Sequence, residues 1–290
     1  MNCMDQVITD QYAAYHGDCV EVLKGLPDAS VGYSIFSPPF ASLYTYSNSP
    51  RDMGNVRDDA EFFEHFDYLI AELRRVMRPG RNISFHCMDM PSSKERDGVI
   101  GLKDFPGDLL RAFQKHGFIF HAKVTIWKDP VTAMQRTKAL GLLHKSVREN
   151  AAMCRMGIPD YLITVRAPGD QDGRVTHGAE FPVDLWQKVA SPVWMDINPS
   201  DTLQFRSARE HDDERHICPL QLEVIRRGVM LWTNPGDIVL SPFMGIGSEG
   251  YVALEMGRRF VGAELKASYY QQAVANLAAA TAKTQDLFAA

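Results

Sequence analysis

Ser37-Pro38-Pro39-Phe40 closes the apolar run Val31 to Phe36 and opens a polar stretch from Ala41 to Asn55. Proline at a strand end is first of all a ladder stop, because it fixes φ and lacks an amide donor. Two in succession also make a stiff loop that offers carbonyl acceptors and no N–H donors. Such a loop suits an exocyclic amine of a nucleobase. The amine's lone pair is delocalised into the ring, so a catalyst must hold the amine protons in acceptors and aim the lone pair. Ser37 and the Pro38 carbonyl are the candidate acceptors, Pro39 stiffens the loop, and Phe40 is a face on which a base can stack.

A second constellation is DIVLSPFMGIGSEGYVALEMGRRFVGAE, Asp237 to Glu264, which reads as strand, glycine loop, helix, strand and acid. Gly245, Gly247 and Gly250 fit GxGxxG, and Glu264 follows at the distance where a carboxylate can hold ribose hydroxyls. The unit points to a ribose-bearing cofactor without saying which, so a nicotinamide-dependent oxidoreductase is a rival reading. A non-catalytic nucleic-acid-binding protein is a third.

Elements that could position these loops follow an α/β alternation. Strand-like runs lie at Tyr12 to His16, Val31 to Phe36, Asn82 to Cys87, Phe118 to Trp127, Tyr161 to Arg166, Asp237 to Leu240 and Arg259 to Ala263. Helical patterns cover Ala60 to Met77, ended by Pro79-Gly80; Asp104 to Lys115; Pro219 to Trp232, stopped by Asn234-Pro235-Gly236; and Ser268 to Ala280. Ala167 to Arg215 is loop-rich and reads as an inserted subdomain or a long loop system.

Only Leu265 to Ala290 follows the glycine unit, so strands from the front of the chain must complete its sheet. The expected order runs from the Asp237 strand to the Arg259 strand, then Tyr12, then Val31, a circular permutation with neighbouring termini. Gly17-Asp18, Ser37, Ser241 and Glu264 then share the carboxyl edge, where open α/β sheets bind ligands.

Composition bounds the rest. The 290 residues are 45% apolar and 23% charged, enough for one large domain or two small ones. No apolar run approaches a membrane span and the start, MNCMDQVITD, is unlike a secretory signal, so no membrane partner and a cytoplasmic location are expected. Five scattered cysteines without a CxxC pair and nine histidines without ligand spacing predict neither a disulfide framework nor a metal site. Net charge is −5, yet Lys123, Lys128, Arg136, Lys138, Lys145, Arg148, Arg155 and Arg166 face only Asp129, Glu149 and Asp160 between Ala122 and Arg166. That basic segment is a candidate phosphate track.

The chain resembles the S-adenosylmethionine-dependent DNA amino-methyltransferases in their permuted beta arrangement. The resemblance runs from HGDCVEVLKGLPDASVGYSIFSPPF through RRVMRPGRNISFH and GFIFHAKVTIWK to HICPLQLEVIRRGVMLWTNPGDIVLSPFMGIGSEGYVALEMGRRFVGAEL. It implies an open Rossmann-like methyltransferase sheet, α/β and mostly parallel with one antiparallel strand, with a small loop-rich target-recognition insertion. The implied division is 1–129 catalytic, 130–158 a basic helical insertion, 159–166 a returning strand, 167–215 target recognition and 216–290 cofactor binding.

By position, the resemblance implies that Ser37 and Pro38 hold the target amine and Phe40 stacks on the flipped base, with Tyr44 or Tyr46 beside it. Ser241, Phe243, Gly245 and Gly247 would line the methionine and ribose of S-adenosyl-L-methionine, Glu264 the ribose and Asp18 the adenine amino group. Cys218-Pro219 would meet the methionine tail. Arg136, Lys138, Lys145, Arg148, Arg206 and Arg209 are the implied contacts to double-stranded DNA.

The family usually carries Asp at the Ser241 position, an Asp near Gly32, His-Pro or Lys-Pro at Cys218-Pro219, and threonines at Ser248-Glu249. Glu249 reads as a charge set against a helix dipole. Ser37 resembles the cytosine-N4 enzymes, with adenine N6 the alternative. C5 methylation is excluded because no cysteine follows a proline. The resemblance also allows a cognate restriction endonuclease, and either a monomer or a homodimer. Ser42 to Asn55 reads as a lid.

Overall fold

The computed structural model describes residues 2–39, 53, 59–92, 94–132, 144–154, 156–178, 181–204 and 219–289. In chain order the elements are β1 Asp5–Ile8, β2 Tyr12–His16, α1 Cys19–Lys24, β3 Val31–Phe36, α2 Asp59–Val76, β4 Met77–Met88, β5 Met90–Ser92, α3 Lys94–Asp97, β6 Gly101–Lys103, α4 Phe105–Lys115 and β7 Ile119–Ile126. They continue with α5 His144–Asn150, β8 Asp160–Arg166, α6 Val183–Val189, β9 Val193–Trp194, α7 Leu222–Trp232, β10 Ile238–Ser241, α8 Ser248–Glu255, β11 Arg259–Glu264 and α9 Ala267–Ala289.

All six residues of β3, VGYSIF, are buried, as a strand covered by helices on both faces requires. Its residues feed two cores, with the register shift between Val31 and Tyr33 breaking strict alternation. Val31 and Phe36 join the side packed by α1, α2 and α4, while Tyr33 and Ile35 join the side packed by α7, α8 and α9. Helix α2 supplies Phe62, Phe66, Leu69, Ile70, Leu73 and Val76, a spacing that keeps one stripe on the sheet. It ends at Val76, within one residue of the expected Met77 and just ahead of Pro79-Gly80. The chain enters β4 directly at Met77, and the pairing with β3 shifts register between Val31 and Tyr33, so the Pro-Gly pair is absorbed as an irregularity early in the strand.

Nine strands form one sheet in the order β1-β2-β11-β10-β3-β4-β8-β7-β9. From β2 to β4 all neighbours are parallel, and β8 runs antiparallel between β4 and β7. The single reversed strand of the expected sheet is β8; β1 adds an antiparallel edge beyond it. The expected strand order needs correction. Val31 and its strand lie beside β10, not beside Tyr12, with Tyr33 opposite Val239 and the Ser34 hydroxyl donating to the Leu240 carbonyl at 2.9 Å. Strand β11 does lie next to β2, as expected, so the two strands of the glycine unit sit between β2 and β3, and the fully buried β3 is the middle strand, covered on both faces.

The segment after β8 is more ordered than its composition suggests. It contains α6 and β9, and β9 extends the sheet against Thr125 and Ile126. Trp194 is buried in the core with Ile126 and Leu162, and the Arg227 guanidinium lies 4.9 Å over its ring. Arg227 also pairs with Asp196 at 2.7 Å, and this partner, with Lys188 helping, pulls the Asp196 carboxyl down to about 2. The described part of this segment is thus bolted to the main sheet. No helix among the described residues is long and apolar enough to cross a membrane.

Candidate active site

The parallel strands place their carboxyl ends in one row, and most of the described candidate residues collect there. Phe36, the last residue of β3, meets Phe243 with ring centroids 5.7 Å apart, so the Ser37 loop and the glycine loop are neighbours on adjacent strands. Pro38 and Pro39 are buried and Ser37 is half-buried. Phe40, Tyr44, Tyr46 and Cys218 lie outside the described residues, as do Arg136, Lys138, Arg206 and Arg209; of the expected lid only Met53 is described, buried in the core.

The glycine loop is built from backbone. Gly245 and Gly247 have φ of 55° and 85°, a region that costs glycine nothing, and the Gly247 N–H closes a turn on the Met244 carbonyl at 2.8 Å. Gly250 serves packing instead. A Cβ there would lie 2.5 Å from Leu277 and Phe260, so glycine lets α8 seat on β11 and α9. The Glu264 carboxylate is held by two backbone donors, Gly245 N–H to Oε2 and Lys266 N–H to Oε1, each 2.8 Å. It therefore sits against the loop in a set orientation.

Gly17 N–H donates to the Glu264 carbonyl at 2.9 Å, which brings Asp18 beside it. One Asp18 oxygen, Oδ1, caps α1 by accepting from Glu21 N–H at 3.1 Å. Pro219 is half-buried just ahead of α7. Ser241 is fully buried and its hydroxyl has no partner among the described residues; the buried Ser248 hydroxyl is in the same condition. Buried polar atoms without partners are costly and mark a place where a ligand can complete the bonding.

Glu249 departs from the expected helix-dipole charge. Burial, with the Glu264 charge adding to it, pushes its carboxyl up to about 8, so at neutral pH it is mainly a neutral acid.

Three further residues reach this edge that the motif reading passed over. The Ser37 hydroxyl is 2.9 Å from His86 Nδ1; His86 Nε2 is 3.1 Å from Asp160 Oδ2, an ion-pair distance that lies off the line of a well-directed hydrogen bond; and Lys128 Nζ is 2.5 Å from Asp160 Oδ1. Burial alone raises the Asp160 carboxyl, but the neighbouring His86 ring and Lys128 ammonium outweigh it and hold it below its usual value. Lys128 is thus committed to a buried carboxylate, not to a phosphate track. His86 could have been found from its place at the end of a strand of the expected sheet. Asp160 was legible only as one acid in a basic run.

Elsewhere in that run, the Lys123 ammonium lies 4.0 Å over the Tyr161 ring, while Lys145 and Arg148 are exposed on α5, with Lys145 3.4 Å from Glu149. No metal-binding cluster occurs among the described residues.

The profile of a family described as DNA methylase, covering the N6 and N4 amino-methyltransferases, matches residues 33–275. The chain belongs to the N6/N4 DNA methylase family. This methylase is 26% identical to the type II methyltransferase M.BglII of Bacillus subtilis over 260 residues, 88% of this chain and 66% of that protein's own length. It is 24% identical to the DNA adenine methyltransferase YhdJ of Escherichia coli K12, over 90% of this chain and 81% of that one.

Among solved structures, the cytosine-N4-specific PvuII DNA methyltransferase superposes with a TM-score of 0.65 at 17% identity, covering 95% of this methylase and 90% of that chain. A Thermus thermophilus protein assigned as a DNA modification methylase, solved with S-adenosyl-L-methionine, superposes with a TM-score of 0.65 at 24% identity over 91% and 94% of the two chains. These superpositions establish the fold.

Proposed function

We propose that this methylase transfers the methyl group of S-adenosyl-L-methionine to an exocyclic amino nitrogen of a base flipped out of double-stranded DNA, N4 of cytosine before N6 of adenine. The observation that carries the reading is the meeting of the Ser37-Pro38-Pro39 loop and the glycine loop at the ends of adjacent strands, joined through Phe36 and Phe243. The residues fit the cofactor. Gly245 and Gly247 offer bare backbone, the Ser241 and Ser248 hydroxyls are buried without partners among the described residues, and the Glu264 carboxylate is aligned for ribose hydroxyls while Asp18 stands at the next strand end. When bound, that cofactor supplies an electrophilic sulfonium methyl.

The protein's own part is alignment. Ser37 and the Pro38 carbonyl accept from the amine, which turns its lone pair toward the methyl donor, and Phe40 stacks on the base. The preference for cytosine rests on serine at position 37, because the named relatives include both an adenine and a cytosine-N4 enzyme. Exposed Lys145 and Arg148, with Arg136 and Lys138, are the proposed phosphate contacts, and 167–215 the target-recognition region. The type II methyltransferases among the relatives favour a cognate endonuclease as partner.

The reading is tested by mass spectrometry of nucleosides from a methylation-deficient host expressing the chain, beside a Ser37→Ala control. N4-methylcytosine lost in the control is the expected result. N6-methyladenine instead would reverse the base preference, and no DNA mark from folded protein would overturn the reading.

A further inference from the structure

We propose that His86 is a positioning residue for this methyl transfer, tying Ser37 to Asp160 in a proton path whose far end is neutralised by Lys128. The proposal rests on the reading of the site given above. Sheet register builds the row. Ser37 follows Phe36, which pairs with Phe85; His86 comes next on β4; β4 pairs with β8 so that Met88 faces Asp160; and Ile126, two residues before Lys128, faces Asp160 from the other side. The chain of contacts, Ser37 to His86 at 2.9 Å and His86 to Asp160 at 3.1 Å, therefore spans three strands and ends at the candidate catalytic loop.

A purely structural account would need only Lys128, which already pairs with the buried Asp160 carboxylate. The imidazole adds something that account does not use. Asp160 Oδ2 stands 3.1 Å from Nε2, and although that contact is off the line of a well-directed hydrogen bond, the field of an ionised carboxylate favours the tautomer with hydrogen on Nε2, which leaves a lone pair on Nδ1. The Ser37 hydroxyl must then donate to Nδ1, and both of its own lone pairs remain to accept from an amine. Without His86 the hydroxyl could turn its hydrogen onto the amine's lone pair and quench the nucleophile.

The same geometry disposes of the proton. Transfer exchanges the methyl–sulfur bond for a methyl–nitrogen bond, with the electron pair of the broken bond staying on sulfur, and leaves the nitrogen with one proton too many. That proton passes to Ser37 Oγ as the serine's own proton moves to His86 Nδ1, and the imidazolium so formed lies against Asp160 until it releases the proton to solvent. Among the described residues, the charged and titratable groups around this ring are Asp160 and Tyr161 on β8, Lys128 beyond β7, Lys123 on β7, and Cys87 and Asp89 beside it in the chain.

The experiment uses the full chain with ring-15N-labelled histidine, the His86 signal being assigned by its loss in His86→Asn. The expected spectrum has hydrogen on Nε2, with ring 15N shifts that move in Ser37→Ala; hydrogen on Nδ1, or no response to Ser37→Ala, would overturn the proposal. Alongside, single-turnover transfer is followed against pH. In His86→Asn the rate should fall about 10²-fold and lose its acid limb, with S-adenosyl-L-methionine affinity unchanged. A variant with wild-type rate and pH profile would overturn the relay. If the wild type methylates no DNA, the functional reading fails while the ring spectrum still decides the Ser37–His86–Asp160 connection; if His86→Asn does not fold, the signal is assigned by its loss in His86→Gln and the same spectrum decides it.

Discussion

Two buried charge networks sit at opposite ends of the same strands. At the amino end, Arg81 is almost wholly buried, donates from Nε to the Gly32 carbonyl at 3.0 Å, and pairs with Asp237 just ahead of β10. Asp237 also accepts from Asn234 N–H at 2.8 Å and lies 3.6 Å from Arg78, which reaches Asp172 at 2.9 Å. Each carboxylate there is met by cations of its own network. At the carboxyl end, the Asp160, His86 and Ser37 row ends at the candidate catalytic loop, and the buried Ser241 and Ser248 hydroxyls have no partner among the described residues. A network closed on itself holds the sheet, whereas one left incomplete toward a cleft is arranged for a guest.

The widest separation between the two ends should come from Asp237→Ala. Removing this carboxylate leaves Arg81 buried without its counter-charge, and urea unfolding should show a loss of about 3–5 kcal/mol, while the remaining folded protein binds S-adenosyl-L-methionine as before. A loss of cofactor affinity in that folded fraction would break the comparison.

Glu249→Gln probes the other end through pH. The native carboxyl titrates at about 8, whereas an unfolded glutamate titrates near its ordinary value of about 4.3. Between those values the unfolded chain has lost a proton that the native chain still holds, so the wild type loses stability as pH rises. Glutamine is free of that penalty. The variant should match the wild type near pH 5 and gain on the order of 2–5 °C in Tm near pH 8. Equal behaviour across the range would mean that Glu249 is ionised and partnered in the native protein.

The smallest effect is expected from Ser241→Ala. Its hydroxyl bonds to nothing among the described residues, so stability should stay within about 0.5 kcal/mol of wild type, with S-adenosyl-L-methionine affinity falling about fivefold by calorimetry. Lost stability with unchanged affinity would move Ser241 from the cofactor side to the scaffold.

Much of the edge was legible because its signals are local. Apolar runs mark strands, Pro-Pro stops one, and a glycine loop between two strands needs only its neighbours in sequence to be recognised. Helix α2 and its end ahead of Pro79-Gly80 were found through apolar spacing and turn chemistry, yet that the pair itself lies within an irregular start of β4 depends on what lies across from it. The order of the strands was likewise out of local reach: both Tyr12 and Val31 head runs fit for burial, and only the packing of two helical layers decides which of them sits beside β10.

By itself, then, the sequence determined the α/β class, the Ser37 loop, the glycine loop with Glu264 at its far strand, and membership of a family that methylates base amines in DNA. The tertiary structure alone decided that Ser37, His86, Asp160 and Lys128 form one row, that Glu249 is a neutral buried acid, and that Arg81 and Asp237 lock the opposite end. The reason is that periodicity and turn chemistry act between neighbours in the chain, whereas a proton path, a desolvated carboxyl and a buried ion pair depend on distances between strands that only the finished sheet sets.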